Sequence, residues 1–342
     1  MKRKRSSFMK KVLVGIAMTL CALSCIGAQG NSETAQQKTV MKIGHVMPED
    51  SPRHKGFLAF KEHVEKETNG RIQVSIYANG QLGQDSELVE MLKTNSVEGF
   101  VGGSFDDITP KLNLFGMPFL FPSRSSFLAT TENPQMLEMI NKDSRKNKIA
   151  ILAIGDGGAR NISNNVRPIR KPEDMKGLKM RTPMMQNVIK CMEALGANPV
   201  TIPYGDTYMA LKTGVADGQE NPNMNMAVMK FYEVQKYLTV INYVWNPEPF
   251  CVSASWYDAL SPEDQKIVAD GAKIYEEVQN DERNKSDAEY LKTMIDYGID
   301  AYTLKPEEME PFREKCNSVY DFFVSQHVFS QEELDFVKGL AK

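Results

Sequence analysis

Histidine is scarce in this chain. Its four histidines form no H-E-x-x-H pair, which excludes the helix-borne zinc site that this spacing builds. Cysteine is scarce as well, with five in 342 residues. Beyond position 25 only Cys191, Cys251 and Cys316 remain, an odd and widely spaced set that suggests neither a disulfide framework nor a zinc pattern. Cys191 and Cys251 lie in apolar surroundings and read as core residues. The segment Gly102-Gly103-Ser104-Phe105-Asp106 lacks the G-x-S-x-G elbow of a hydrolase. Residues 155–158 are glycine-rich but have no following Lys-Ser/Thr for a phosphate loop, and their glycines suit a tight turn at a domain crossover. There is no internal repeat. These absences leave no recognised catalytic motif, and no cofactor or metal is expected.

The N-terminus carries Lys2, Arg3, Lys4, Arg5, Lys10 and Lys11, followed by an apolar run over residues 12–23. That run is too short to span a membrane and has no polar face, so residues 1–24 read as a secretory signal peptide. Ala22-Leu23-Ser24-Cys25 resembles a lipobox with Cys25 as lipid acceptor, and cleavage after Ala28 is the rival. Residues 25–39 are polar and suit a flexible tether. The expected location is periplasmic or otherwise extracytoplasmic, with the membrane met only through a lipid anchor. Subtracting the six leader cations from the formal charge of -3 leaves a body near -9. Such a balance argues against nucleic acid as partner and against a polybasic membrane surface. An anionic ligand would then have to be held by local arginines, because the overall field repels it.

The body is long enough for two domains with separate cores. Residues 41–46 read as a strand and 51–68 as a helix, with Phe57, Phe60 and Val64 at helical spacing and Asn69-Gly70 as a stop. Ile72, Val74 and Ile76 alternate in a second strand closed by Asn79-Gly80, and 85–94 is another helix. This rhythm predicts an α/β domain with a largely parallel sheet. A second unit starts near 157–160 and contains a strand at 178–181 and helices at 185–195 and 204–214. Around 244–253 the chain returns to the first unit, and from Ser261-Pro262-Glu263-Asp264, a helix-start signal, it is mostly helical. The expected division is lobe I at 40–157 plus 247–286 and lobe II at 158–246 plus 287–342. A cleft between two hinged lobes is the default site for a small ligand.

Residues 160–222 hold the chemistry. Arg160 and Arg181 stand at the ends of what read as connecting segments, and Asn221 follows in the polar segment Asp217-Gly218-Gln219-Glu220-Asn221-Pro222, which reads as a turn. An arginine is always charged and presents a planar fork of donors that fits a carboxylate. Two forks and an amide in one cleft would hold an organic anion. The plainer alternative is two solvated arginines and a polar turn. Further candidates each have two readings. His45 at the end of the first strand faces a cleft or is a structural histidine. Asp85 caps its helix or reaches the cleft to hold a hydroxyl. Asp156 before the glycine pair could do either.

The order of motifs closely resembles the DctP-type solute-binding proteins of tripartite ATP-independent periplasmic (TRAP) transporters. The resemblance runs from about Met41 to Val268 and rests on GQLGQDSELVEMLKTNSVEG, FGMPFLFPS, KPEDMKGLKMRTP, EALGANPVTIPYGDTYMALKTGVADGQENP and FYEVQKYL. It implies an α/β, two-lobed, type II periplasmic-binding-protein-like fold with a hinge and a long helix crossing both lobes. It implies no enzymatic activity, a small organic acid as ligand, and two membrane permease subunits, one small and one large, as partners. By the same resemblance Arg181, in KGLK-x-R-x-P, makes the main salt bridge to the ligand carboxylate, Asn221 is a further contact, and Arg160 matches an upstream arginine. The residues around His45 and Asp156 resemble the hexuronate branch more than the sialic acid branch. A hexuronate such as glucuronate or galacturonate is therefore expected, with a C4-dicarboxylate as runner-up. An exported enzyme on carboxylated sugars and a receptor-docking sensor are the readings from other classes.

Overall fold

The computed structural model describes residues 38–342; the leader, Cys25 and most of the tether lie outside the described residues. The chain opens with β1 (Thr39–Gly44), α1 (Pro52–Glu67), β2 (Ile72–Tyr77), α2 (Asp85–Lys93) and β3 (Gly99–Val101). Ser51 caps α1 by accepting from the His54 N–H, and Asn69 and Gly70 end it with positive φ, as their left-handed preference predicts. Short helices α3 (Phe105–Ile108), α4 (Arg124–Thr131) and α5 (Pro134–Ser144) then lead to the long strand β4 (Ile149–Asn164).

The middle of the chain comprises β5 (Lys179–Thr182), α6 (Gln186–Ala194), β6 (Asn198–Thr201), α7 (Thr207–Lys212), β7 (Gly218–Pro222), α8 (Asn223–Val228) and β8 (Tyr237–Val240). After it come β9 (Trp245–Ser253), α9 (Ala254–Ala259), α10 (Pro262–Tyr297), β10 (Asp300–Thr303), α11 (Pro306–Ser325) and α12 (Gln331–Leu340). Ser261 caps α10 and Gly298 stops it in the left-handed region. At 36 residues this helix is about 54 Å long, and it packs on α1, β4 and α8.

The strands join in the order β2-β1-β3-β9-β4-β7-β5-β6, with β8 also pairing β4 and β10 pairing β8. Both flanks are parallel, as the strand-helix rhythm predicts, but β9 runs antiparallel between β3 and β4. The centre of the sheet is thus antiparallel, because the returning strand enters beside β3 in the opposite sense. The first part of β4 pairs with β9, and its last part pairs with β7 and β8. Between the two parts the β4–β9 register shifts at Asp156/Ala159, where Gly158 has φ +86°. The glycines at 155–158 therefore form a bulge inside one continuous strand, not a turn between two. No helix of the described residues is long and apolar enough to cross a membrane.

Close approach of β7 to β4 depends on Gly218. A Cβ built there would lie 2.3 Å from the Ser163 carbonyl oxygen and 2.7 Å from the Asn164 Cβ, and neither can retreat without breaking the β4–β7 ladder. Gly218→Ala should cost about 1–3 kcal/mol of stability. Gly339→Ala is the matched comparison: it lies in α12 with nothing within 4 Å of its Cβ position and should gain about 0.4–1 kcal/mol. Thermal melts of both variants check this; an unchanged melting temperature for Gly218→Ala would show that the strands can separate without loss.

Candidate functional site

The segments that follow β1, β3, β5 and β6 line a cavity of about 500 Å³, as crevices outside strand carboxyl ends do in open α/β sheets. Val46 and Met47 follow β1, Gly103 and Ser104 follow β3, Pro183 to Met185 follow β5, and Ile202 to Tyr204 follow β6. Arg160, Asn221, Asn225 and Asn246 contribute from β4, β7, α8 and β9, and Arg53, Gln84 and Asp85 from α1 and the start of α2. Of the six residues expected in a ligand site, the structure brings Arg160, Arg181, Asn221 and Asp85 to this cavity. His45 and Asp156 do not line it.

Arg181 is the last residue but one of β5 and is almost wholly buried. Its Nε donates to the Ile202 carbonyl oxygen at 2.9 Å, and its guanidinium carbon lies 6.0 Å from the centre of the Tyr204 ring. No carboxylate forms a salt bridge with it among the described residues. Burial pulls its pKa down to about 10; Glu220 raises it and the like charge of Arg160 lowers it. The group is still a cation at neutral pH. A buried cation without a paired anion is costly, and this one faces a cavity.

Arg160 is bound quite differently. It sits inside β4, and Glu220 accepts from both its Nε and its Nη2, the latter at 2.6 Å. Its Nη1 donates to Asn246 Oδ1 at 3.0 Å and its Nη2 to Asn221 Oδ1 at 3.4 Å. The Tyr243 hydroxyl donates to Glu220 Oε2 at 2.7 Å. Burial opposes the charge of Arg160, but Glu220 outweighs it and holds the pKa above the ordinary arginine value. The second fork of the expected two-arginine clamp is thus already filled by a carboxylate of the protein.

Asn221 lies in a buried strand, not in a turn. The polar residues of β7 can be buried because each is satisfied: Glu220 by Arg160, Gln219 by donating to Ser163 Oγ at 2.8 Å, and Asn221 by donating to Gln219 Oε1 at 2.6 Å. Asp85 is the first residue of α2, and Gln84 is the cap, in a capping box with Glu87. Asp85 is therefore released from capping. Its Oδ2 accepts from the Gly103 N–H at 3.1 Å, and its buried Oδ1 has no partner among the described residues. Burial raises its pKa, against the attraction of Arg53.

The other two candidates serve the scaffold. His45 Nε2 lies 3.1 Å from His54 Nδ1, and its ring stacks on Phe57 at 5.5 Å between centres. The Asp156 carboxylate accepts from Arg124 Nε at 2.6 Å and from the Gly158 N–H at 2.7 Å. The main chain of Asp156 also bonds to the side chains of Gln279 and Asn280, so it fastens α4 and α10 to the bulge. The polar atoms of Asp156 are thus taken up by its neighbours, whereas the buried Nδ1 of His45 has no hydrogen-bond partner among the described residues.

Sequence reasoning missed Arg53, Glu248 and Arg283. Arg53 reads as part of a capping loop, yet its Nη2 donates to Glu248 Oε1 at 2.7 Å and its Nη1 to the Val101 carbonyl at 3.2 Å. Arg283 of α10 reaches the same Glu248 oxygen at 3.2 Å. The available signal was Glu248 itself, a lone acid in the strand segment Trp245–Ser253, which needs cationic partners once that strand is buried. No group of His, Cys, Asp and Glu able to hold a metal ion occurs among the described residues.

The model of the DctP family, bacterial extracellular solute-binding protein family 7, matches residues 43–327. The C4-dicarboxylate-binding periplasmic protein DctP of Rhodobacter capsulatus is 32% identical over 82% of this chain and 85% of its own length. Among solved structures, the sugar acid binding protein of Advenella mimigardefordensis, in complex with galactonate, superposes with a TM-score of 0.83 at 28% identity, covering 89% of this chain and 98% of that one. A TRAP periplasmic solute-binding protein from Sulfitobacter with bound β-D-galacturonate gives 0.81 at 26% identity, covering 88% of this chain and 99% of that one. The fold, the cavity at the strand ends and this likeness over most of the chain agree: the chain belongs to the DctP family of TRAP solute-binding proteins, a family named for ligand capture and not for catalysis.

Proposed function

We propose that this protein captures a hydroxylated monocarboxylate, a hexuronate being the favoured case, between two lobes and delivers it to the TRAP permease subunits. The observation that carries the reading is Arg181: a buried cation on the cavity wall with no salt-bridge partner among the described residues. Its free fork suits one carboxylate. Arg160 is occupied by Glu220 and supports the wall, so a second ligand carboxylate would find no equally free arginine there. Asp85 supplies an acceptor for a ligand hydroxyl beside the Gly103 turn. Galactonate and galacturonate in similar proteins support this choice. The Rhodobacter relative supports a C4-dicarboxylate as the second reading. Residues 40–157 with 247–286, and 158–246 with 287–342, are the proposed lobes, and Cys25 is the proposed lipid acceptor. A thermal-shift screen of uronates, aldonates, C4-dicarboxylates, 2-oxoacids and sialic acid tests the ligand class, since a tight ligand raises the melting temperature by mass action. Stabilisation by succinate or malate alone would overturn the hexuronate choice.

Truncating one partner of a buried charge pair costs roughly 2–5 kcal/mol. By calorimetry Arg181→Ala should therefore bind the best ligand of that screen about 30-fold more weakly or worse. Arg181→Lys should also be impaired, because an ammonium lacks the two-pronged geometry. The ligand-free melting temperature of Arg181→Ala should not fall, since no protein carboxylate loses its partner. Arg160→Ala should behave in the opposite way. It strands Glu220 in the core, at a cost of about 3–5 kcal/mol, and its ligand-free melt should drop. Near-native affinity in both Arg181 variants would remove that residue from the site.

Asp85 makes a prediction of definite sign. A carboxyl whose folded-state pKa is raised holds its proton more tightly in the folded chain. Its contribution to stability is complete below the ordinary value of 3.8 and is lost as pH rises through the raised value. Asp85→Asn should therefore raise the ligand-free melting temperature at neutral pH, by a margin that shrinks as pH falls through the raised value and levels off below 3.8. The same variant should narrow the preference for a uronate over succinate. Melts across pH and paired calorimetric titrations measure both, and a lower melting temperature at neutral pH would mean that Arg53 outweighs burial.

A further inference from the structure

The fold brings together two cysteines that stand far apart in sequence and that the function does not use. Cys191 on α6 and Cys316 on α11 are separated by 125 residues, yet their sulfurs lie 3.0 Å apart, about 1 Å longer than a disulfide bond. Both are buried, in the apolar core that also holds Val188, Met192, Phe312 and Val319. Each sulfur finds its polar contact in the other. The third described cysteine, Cys251, is in β9 and makes no such contact. We propose that Cys191 and Cys316 are joined by a disulfide in the exported protein, fastening α11, the penultimate helix, to α6. The α6 helix directly follows the Pro183–Met185 stretch of the cavity wall, so the bridge would tie the wall beside Arg181 to α11.

The reaction balances with one co-reactant. Each thiol gives up a proton and an electron, the S–S bond forms, and the two electrons reduce the disulfide of an extracytoplasmic dithiol oxidase to two thiols through a mixed disulfide. Exchange requires a thiolate. Burial pushes the Cys191 thiol well above its ordinary range, and core packing keeps an oxidant out. The bridge therefore forms while the chain folds and then resists reduction. Because it closes a loop of 125 residues, it restricts the unfolded chain more than a short-range bridge would.

The oxidising compartment rests on the proposed extracytoplasmic function, so the experiment separates the two. Protein from an extracytoplasmic fraction, and reduced protein refolded with oxidised glutathione, are alkylated in denaturant without reductant and digested with trypsin. The bridge predicts that the fragments 191–212 and 316–338 appear as one linked species that reductant separates, while Cys251 is alkylated throughout. Reductant should lower the melting temperature of the oxidised wild type by roughly 5–10 °C, and Cys316→Ser should abolish that dependence. A link in the glutathione arm alone supports the bridge and counts against the extracytoplasmic location. Both fragments alkylated separately in both arms would overturn the proposal and leave a thiol contact in an apolar core.

Discussion

The pairing of Arg160 with Glu220 is the constraint on which the site is built. Two opposite charges in a dry interior hold each other only with good geometry and satisfied remaining donors. Here Glu220 accepts from two guanidinium nitrogens and from the Tyr243 hydroxyl, while Asn246 takes another arginine N–H. That network joins β4, β7, β9 and the segment before β9. It sets the wall from which Asn221 and Arg181 project, and it leaves Arg181 only a through-space share of the Glu220 charge. One arginine is spent on architecture while its neighbour faces the cavity.

The same division recurs behind the wall lined by Arg53 and Asp85. Glu248 is shared by Arg53 and Arg283, and burial fails to raise its pKa because those two cations hold it low. Asp85 lies within reach of the Arg53 field but is hydrogen-bonded only to a backbone N–H. Each wall thus has a carboxylate or cation that is fully paired and another that is not. Residues of the second kind destabilise the fold, since each is a buried charge or carboxyl without a full partner.

Much of the fold was legible from local signals. Ser261 as a cap, Asn69-Gly70 as a stop and the alternation of Ile72 and Val74 all act within a few residues, and most elements fall within about two residues of the expected bounds, although the helix expected from 204 begins at Thr207. What escaped was non-local. The segment around Gln219 and Asn221 has the composition of a turn, and only its partners on β4 make it a buried strand. The glycines at 155–158 look like a turn because the strand that pairs with them, β9, lies some 90 residues further on. In the site, a motif match could point to Arg181 and Arg160 alike, but the difference between them is set by Glu220, whose reach to Arg160 no spacing rule reports. Arg53 and Arg283 escaped for the same reason.

His45 has a consequence for the conditions in which such a protein works. Burial, followed by the positive charge of Arg53 and the neighbouring His54, lowers its pKa from 6.5 to about 3. Proteins of this family are extracellular and meet whatever acidity the medium imposes. An ordinary imidazole at the end of β1 would change charge across mildly acidic conditions and bring a repulsive cation next to Arg53. This one stays neutral down to strongly acidic medium, so His45 itself adds no charge beside Arg53 across the swings in acidity that histidines elsewhere are used to sense.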